Sequence, residues 1–148
     1  MSKTISFRGT LPVGEQDTIN LKTNTGKVGY KVTKFKLMET NPGNVDHELV
    51  GKIFKTDQTG NIDGTVDVTD RDLIAAMYLK TESSGSAGVY QNILIFDNEV
   101  FNQNIFVTIA DNSGSTEPCN YYIELETMAL SDLESTKLTL QSIRQLTE

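Results

Sequence analysis

Asn120-Tyr121-Tyr122-Ile123-Glu124-Leu125-Glu126 alternates without a slip: Tyr121, Ile123 and Leu125 on one parity, Tyr122, Glu124 and Glu126 on the other. Successive side chains of a strand leave opposite faces, so this is a half-buried β-strand with its apolar face inward. The same period of two recurs at Ile5 and Phe7, at Ile19 and Leu21, and at Ile105, Val107 and Ile109, with Thr108 opposite. Val28, Tyr30 and Val32 share one parity, but Phe35 and Leu37 take the other. That switch predicts a bulge near Thr33-Lys34, or a strand that crosses between two sheets.

Turn signals separate these runs: Gly9 to Gly14, Thr23 to Gly26, Asn41-Pro42-Gly43-Asn44, Thr59 to Gly64, Ser83 to Gly88, Asp97-Asn98 and Asp111 to Pro118. Short β-branched and aromatic runs between closely spaced turns predict an all-β fold. The expectation is a single antiparallel β-sandwich, jelly-roll or Greek-key-like, spanning 1–148. Two segments need separate treatment. Leu73-Ile74-Ala75-Ala76-Met77-Tyr78-Leu79 has local helix preference, but its β surroundings favour a strand buried on both faces, and strand is the reading taken. Ser131-Asp132-Leu133-Glu134 has capping-box spacing. A short amphipathic helix is expected over about 132–145, with Leu133, Leu140, Ile143 and Leu146 on its packed face and Leu138 off it.

The 148 residues suit one domain, and the net charge of −7 argues against non-specific nucleic-acid binding. The longest apolar run, Leu73 to Leu79, is too short to span a bilayer, and the first residues lack the apolar core of a signal peptide. One Cys excludes an intramolecular disulfide, and one His leaves a zinc site incomplete. Charge is unevenly spread. Residues 1–55 carry nine bases against five acids, and residues 56–148 carry four bases against fifteen acids. Either the basic third pairs with the acidic part of another copy, or the strands colour different sides of one sandwich.

Candidate chemistry is sparse. His47, in Asp46-His47-Glu48, reads as a solvated loop residue, and Cys119, after Pro118, as a small residue opening a strand. No nucleophile motif surrounds either, so no catalytic residue is assigned and a non-enzymatic protein is expected. Ser83 to Gly88 lacks the Gly-Lys-Ser/Thr ending of a phosphate loop. Asn61-Ile62-Asp63-Gly64-Thr65-Val66-Asp67-Val68-Thr69-Asp70 is the sharper signal. With Gly64 at the sixth position of a calcium loop, Asn61 falls at three, Asp63 at five, Asp67 at nine and Asp70 at twelve. This resembles one repeat of a dockerin. Against it, Thr59 stands where a carboxylate is expected, the twin repeat is missing, and no helix signal precedes the loop. The competing reading is an acidic turn between two strands. No cofactor is required; Ca²⁺ is the one the pattern admits.

Three stretches resemble a group of small proteins from marine tailed phages, encoded among virion genes. They are Gly26-Lys27-Val28-Gly29-Tyr30-Lys31-Val32-Thr33-Lys34-Phe35, Ile95-Phe96-Asp97-Asn98-Glu99-Val100-Phe101-Asn102-Gln103-Asn104-Ile105, and Asn120 to Glu126 continuing into Leu140-Gln141-Ser142-Ile143-Arg144. With the strands between them they cover most of the chain; Asp57 to Gly88 matches least. The resemblance implies a β-sandwich component of the virion, assembled in the host cytoplasm. A capsid decoration or cement protein comes first, and a tail or fibre-associated protein second. A calcium-dependent binding or adhesion module is the remaining alternative. Implied partners are other virion proteins, chiefly the capsid shell, and further copies of the chain; neither nucleic acid nor membrane is expected. Candidate contact residues are Lys27, Lys31, Lys34, Lys36, Glu124 and Glu126, together with the helix.

Overall fold

The computed structural model describes residues 3–83, 90–96 and 98–147. Eight strands precede one helix: β1 (Lys3–Leu11), β2 (Gln16–Ile19), β3 (Val28–Glu39), β4 (His47–Phe54), β5 (Leu73–Thr81), β6 (Tyr90–Ile95), β7 (Ile105–Asp111), β8 (Cys119–Ala129) and α1 (Asp132–Thr147). They form two antiparallel sheets, β1-β8-β3 and β2-β7-β4-β5-β6. The pairing is nested, with β4 on β5, β2 on β7 and β1 on β8. This wrapping of the chain on itself is the jelly-roll scheme, here with β6 on the edge of the larger sheet.

The alternation along β8 is what closes the core. Phe35, Ile123 and Leu125 from one sheet meet Leu49, Ile53, Met77 and Ile109 from the other, all buried. The parity switch in β3 is a bulge: the register against β8 shifts between Val32 and Lys34, so Thr33 is the extra residue. Both Tyr30 and Leu37 therefore face inward. Gly43 turns the chain between β3 and β4 at φ +83°, a conformation that costs glycine little.

Gly9, expected in a turn, lies inside β1 opposite Tyr121. A Cβ there would fall 2.8 Å from the Tyr121 hydroxyl oxygen, so the strand needs glycine at that pairing. Leu73–Thr81 is a strand, as its surroundings indicated. It is buried on both faces because the connection from Lys55 to Asp72 covers the outside of the larger sheet. Phe54, Leu73 and Ala76 form a second small core there, with Phe96 against it. Thr108, expected to face outward, is buried on the same side. Of the Ser83–Gly88 loop, residues 84–88 lie outside the described residues, as does Asp97.

Candidate functional site

The four calcium-loop candidates do converge. Asn61, Asp63, Asp67 and Asp70 border one cavity of about 120 Å³ on the outer face of the larger sheet. A cation already stands in it. Lys52, on β4, is buried, and its Nζ donates to Asp63 Oδ1 at 3.0 Å and to the Thr65 carbonyl at 2.7 Å. Its ammonium also lies 5.5 Å from the Phe54 ring centre. The carboxylates are otherwise occupied as turn acceptors. Asp63 takes the amide and hydroxyl of Thr65, Asp67 those of Thr69, and Asp70 the amide of Asp72. The Lys52 hydrogen bond, followed by the Thr65 hydroxyl, holds Asp63 below the ordinary carboxylate range. Among the described residues no three His, Cys, Asp or Glu side chains are placed to hold a metal.

Sequence reading missed two signals here. The first is Asp-x-Thr, which recurs at Asp57, Asp63 and Asp67 and returns as Asp-x-Ser at Asp111. Each carboxylate accepts from the amide and the hydroxyl two residues on, which marks built turns. The second is Lys52, a lone base inside an otherwise apolar run, and such a base needs an acid brought from elsewhere.

Of the contact candidates, Lys31, Lys34, Lys36, Glu124 and Glu126 share the outer face of the smaller sheet, and Lys27 precedes β3. Lys31 stands opposite Glu126 and Lys34 opposite Glu124, with Nζ to carboxylate distances of 3.8 and 3.5 Å. Lys27 reaches Asp132 on α1 at 2.9 Å, and Lys55 reaches Glu99 at 3.4 Å. Every Lys–carboxylate bridge among the described residues therefore joins a base from the first 55 residues to an acid from the remainder. The charge asymmetry is matched within the fold. Arg8 and Lys36 flank Tyr122 across the three strands, with no carboxylate within 4 Å among the described residues.

The helix starts where the capping box placed it. The Ser131 hydroxyl accepts from the Glu134 amide, and the Glu134 carboxylate accepts from the Ser131 amide, both at 3.2 Å. Its packed face is not the expected one. Leu133, Leu140 and Ile143 are exposed, whereas Ser135 is buried and Leu138 and Thr139 are half-buried; the side chain of Leu146 lies outside the described residues. The reason is a polar fastening. Asn102, buried, donates from Nδ2 to the Gly26 carbonyl at 3.0 Å and to Thr139 Oγ1 at 3.1 Å, and Ser135 Oγ donates to the Thr25 carbonyl at 3.2 Å. Small polar side chains let the helix approach close enough for these bonds, so its larger apolar residues face away.

His47 is also placed differently from expectation. It opens β4 on the inward face, where it is buried, because register sets it beside Thr81 and the end of β7 delivers Asp111. Its Nδ1 lies 2.8 Å from Asp111 Oδ2, and its Nε2 lies 3.7 Å from Glu117 Oε2. Burial pushes the Asp111 carboxyl up. Hydrogen bonds from the Ser113 hydroxyl, the Glu48 amide and His47 outweigh that, and the net shift is downward. Cys119 does open β8. Burial pushes its thiol up to about 12; the Met38 backbone contact, next in size, opposes this, and the Glu39 and Asp111 charges add smaller upward pushes, so it is not a nucleophile at neutral pH.

Compared with known proteins, the chain matches no family model and has no significant match among curated proteins.

Proposed function

We propose that the chain is a non-enzymatic structural protein of a tailed-phage virion, a decoration or cement protein on the capsid exterior. The observation that carries this is α1. It is fastened to the sandwich through Asn102, Ser135 and Thr139 and presents Leu133, Leu140 and Ile143 to solvent. An apolar stripe held outward on a capped helix suits docking into a groove of a partner. The sequence resemblance supplies the particle, and jelly-roll wrapping is common among capsid proteins, an analogy at the level of fold only. Repetition over a symmetric shell turns weak single contacts into firm attachment. The Lys31–Glu126 and Lys34–Glu124 ladder is satisfied within the sheet, which shifts the expected contact from those lysines to the helix.

The test is Leu133→Glu combined with Ile143→Glu. The exposed positions predict an unchanged melting temperature and loss of co-sedimentation with particles. Normal incorporation of the double variant sinks the docking role of α1. Labelling of tails rather than shells in electron micrographs moves the assignment to a tail or fibre-associated protein. No observation favours the calcium-dependent alternative, since Lys52 holds Asp63.

A further inference from the structure

Separate from the helix, a cleft of about 910 Å³ opens at the end of the sandwich where β3 and β8 meet β5 and β6. That volume suits a drug-sized ligand. Its walls include Leu37, Leu79 and Pro42, and two polar side chains face it from inward strand positions. Glu39, at the end of β3, is 9% exposed and has no ion pair or side-chain hydrogen bond among the described residues. Thr81, at the end of β5, is 8% exposed, and its Oγ1 has no partner among the described residues. The Glu39 carboxylate thus faces the cleft with no ion-pair partner among the described residues, and an occupant that brings a positive charge gains a charge-assisted hydrogen bond there. Arg8 and Lys36 also border the cleft, from the outer face of the smaller sheet. They repel a second positive charge at the far end of any occupant.

We infer that this cleft binds an aliphatic chain ending in a single ammonium, the charge meeting Glu39 and Thr81 and the chain lying against Leu37 and Leu79. The same chemistry comes from a free alkylamine or from a lysine side chain on a partner polypeptide. The experiment titrates the full chain, followed by amide chemical shifts, with four probes: n-octylammonium below its micelle concentration, n-octyl sulfate, spermidine, and acetyl-Leu-Lys-Leu-amide. Saturable binding of octylammonium, with shifts at Glu39 and Thr81, is expected, and octyl sulfate and spermidine should bind at least tenfold more weakly. Glu39→Gln should weaken octylammonium at least tenfold. Thr81→Val should weaken it severalfold while folding normally, because it removes an unpartnered hydroxyl. Binding of the peptide without octylammonium supports the inference and assigns the ammonium to a partner chain. Equal binding of octyl sulfate, unchanged affinity in Glu39→Gln, or no binding of either octylammonium or the lysine peptide overturns it. If Glu39→Gln does not fold, the ammonium-to-sulfate contrast in the unaltered chain decides.

Discussion

Replacing Lys52 by Met tests whether a buried ammonium holds the 55–72 connection in place. The substitution keeps the aliphatic stem on the sheet and removes only the charge and its donors. The bond to the Thr65 carbonyl, at 2.7 Å, is from a charged donor and contributes about 1.5–3 kcal/mol. The Asp63 side chain is 60% exposed, so its pair with Lys52 adds at most about 1 kcal/mol. Losing the ammonium also relieves its own desolvation, which offsets part of the loss. The net destabilisation is about 1–3 kcal/mol, and a chain of this size loses about 2–4 °C of Tm for each kcal/mol. At the middle of those ranges Lys52→Met melts about 6 °C below the unaltered protein by calorimetry. Amide exchange should rise across residues 57–72 while β1 and β8 stay protected, and millimolar Ca²⁺ should leave the Tm of the unaltered protein unchanged. A variant that melts at the original temperature, with unchanged exchange in 57–72, refutes the anchoring role of Lys52.

Three further outcomes are expected. Asp111 has a depressed pKa, so its contribution to stability is present above its unfolded value of about 3.9 and is lost as pH falls through the folded value. Asp111→Asn should therefore cost about 2–3 kcal/mol at pH 7 and flatten the fall of Tm between pH 4 and pH 2.5, as thermal melts across that range will read. Gly51→Ala puts a Cβ 2.9 Å from both Leu37 δ-carbons and 3.0 Å from Phe35 Cζ, and the overpacking should cost about 1–3 kcal/mol in denaturant unfolding. Asn102→Ala leaves the Gly26 carbonyl and Thr139 without their donor and should cost about 1–3 kcal/mol, with α1 amides exchanging faster than those of the strands.

The residues that spoke plainly in sequence did so through short-range rules. Tyr121, Ile123 and Leu125 alternate because one face of β8 must be buried, and that needs no knowledge of which strand lies beside it. Val32 and Phe35 reported the bulge through parity alone, and Ser131 with Glu134 reported the helix start, because both are settled within a few residues. Where two elements had to meet, the local pattern was silent or misleading. The Asp46-His47-Glu48 segment looks solvated, yet His47 is buried because strand order brings Asp111 and Glu117 to it. Asn61, Asp63, Asp67 and Asp70 do gather as their spacing suggested, but the cation among them is the side chain of β4, eleven residues before Asp63 in the chain.

By itself, then, the sequence determined the all-β class, the strands that alternate cleanly, the parity break in β3 and the capped start of the helix, since each follows from side-chain period and backbone preference over a handful of residues. Only the tertiary structure decided what those elements present. It turned Leu133, Leu140 and Ile143 outward by fastening the opposite side of α1 to Asn102. It matched the basic first third of the chain to the acidic remainder across β3 and β8, and it left Glu39 and Thr81 facing a cleft. Burial and charge pairing depend on which distant segments share a few ångströms of space, and in this nested jelly roll such neighbours lie as far apart in the chain as Lys3 and Thr127.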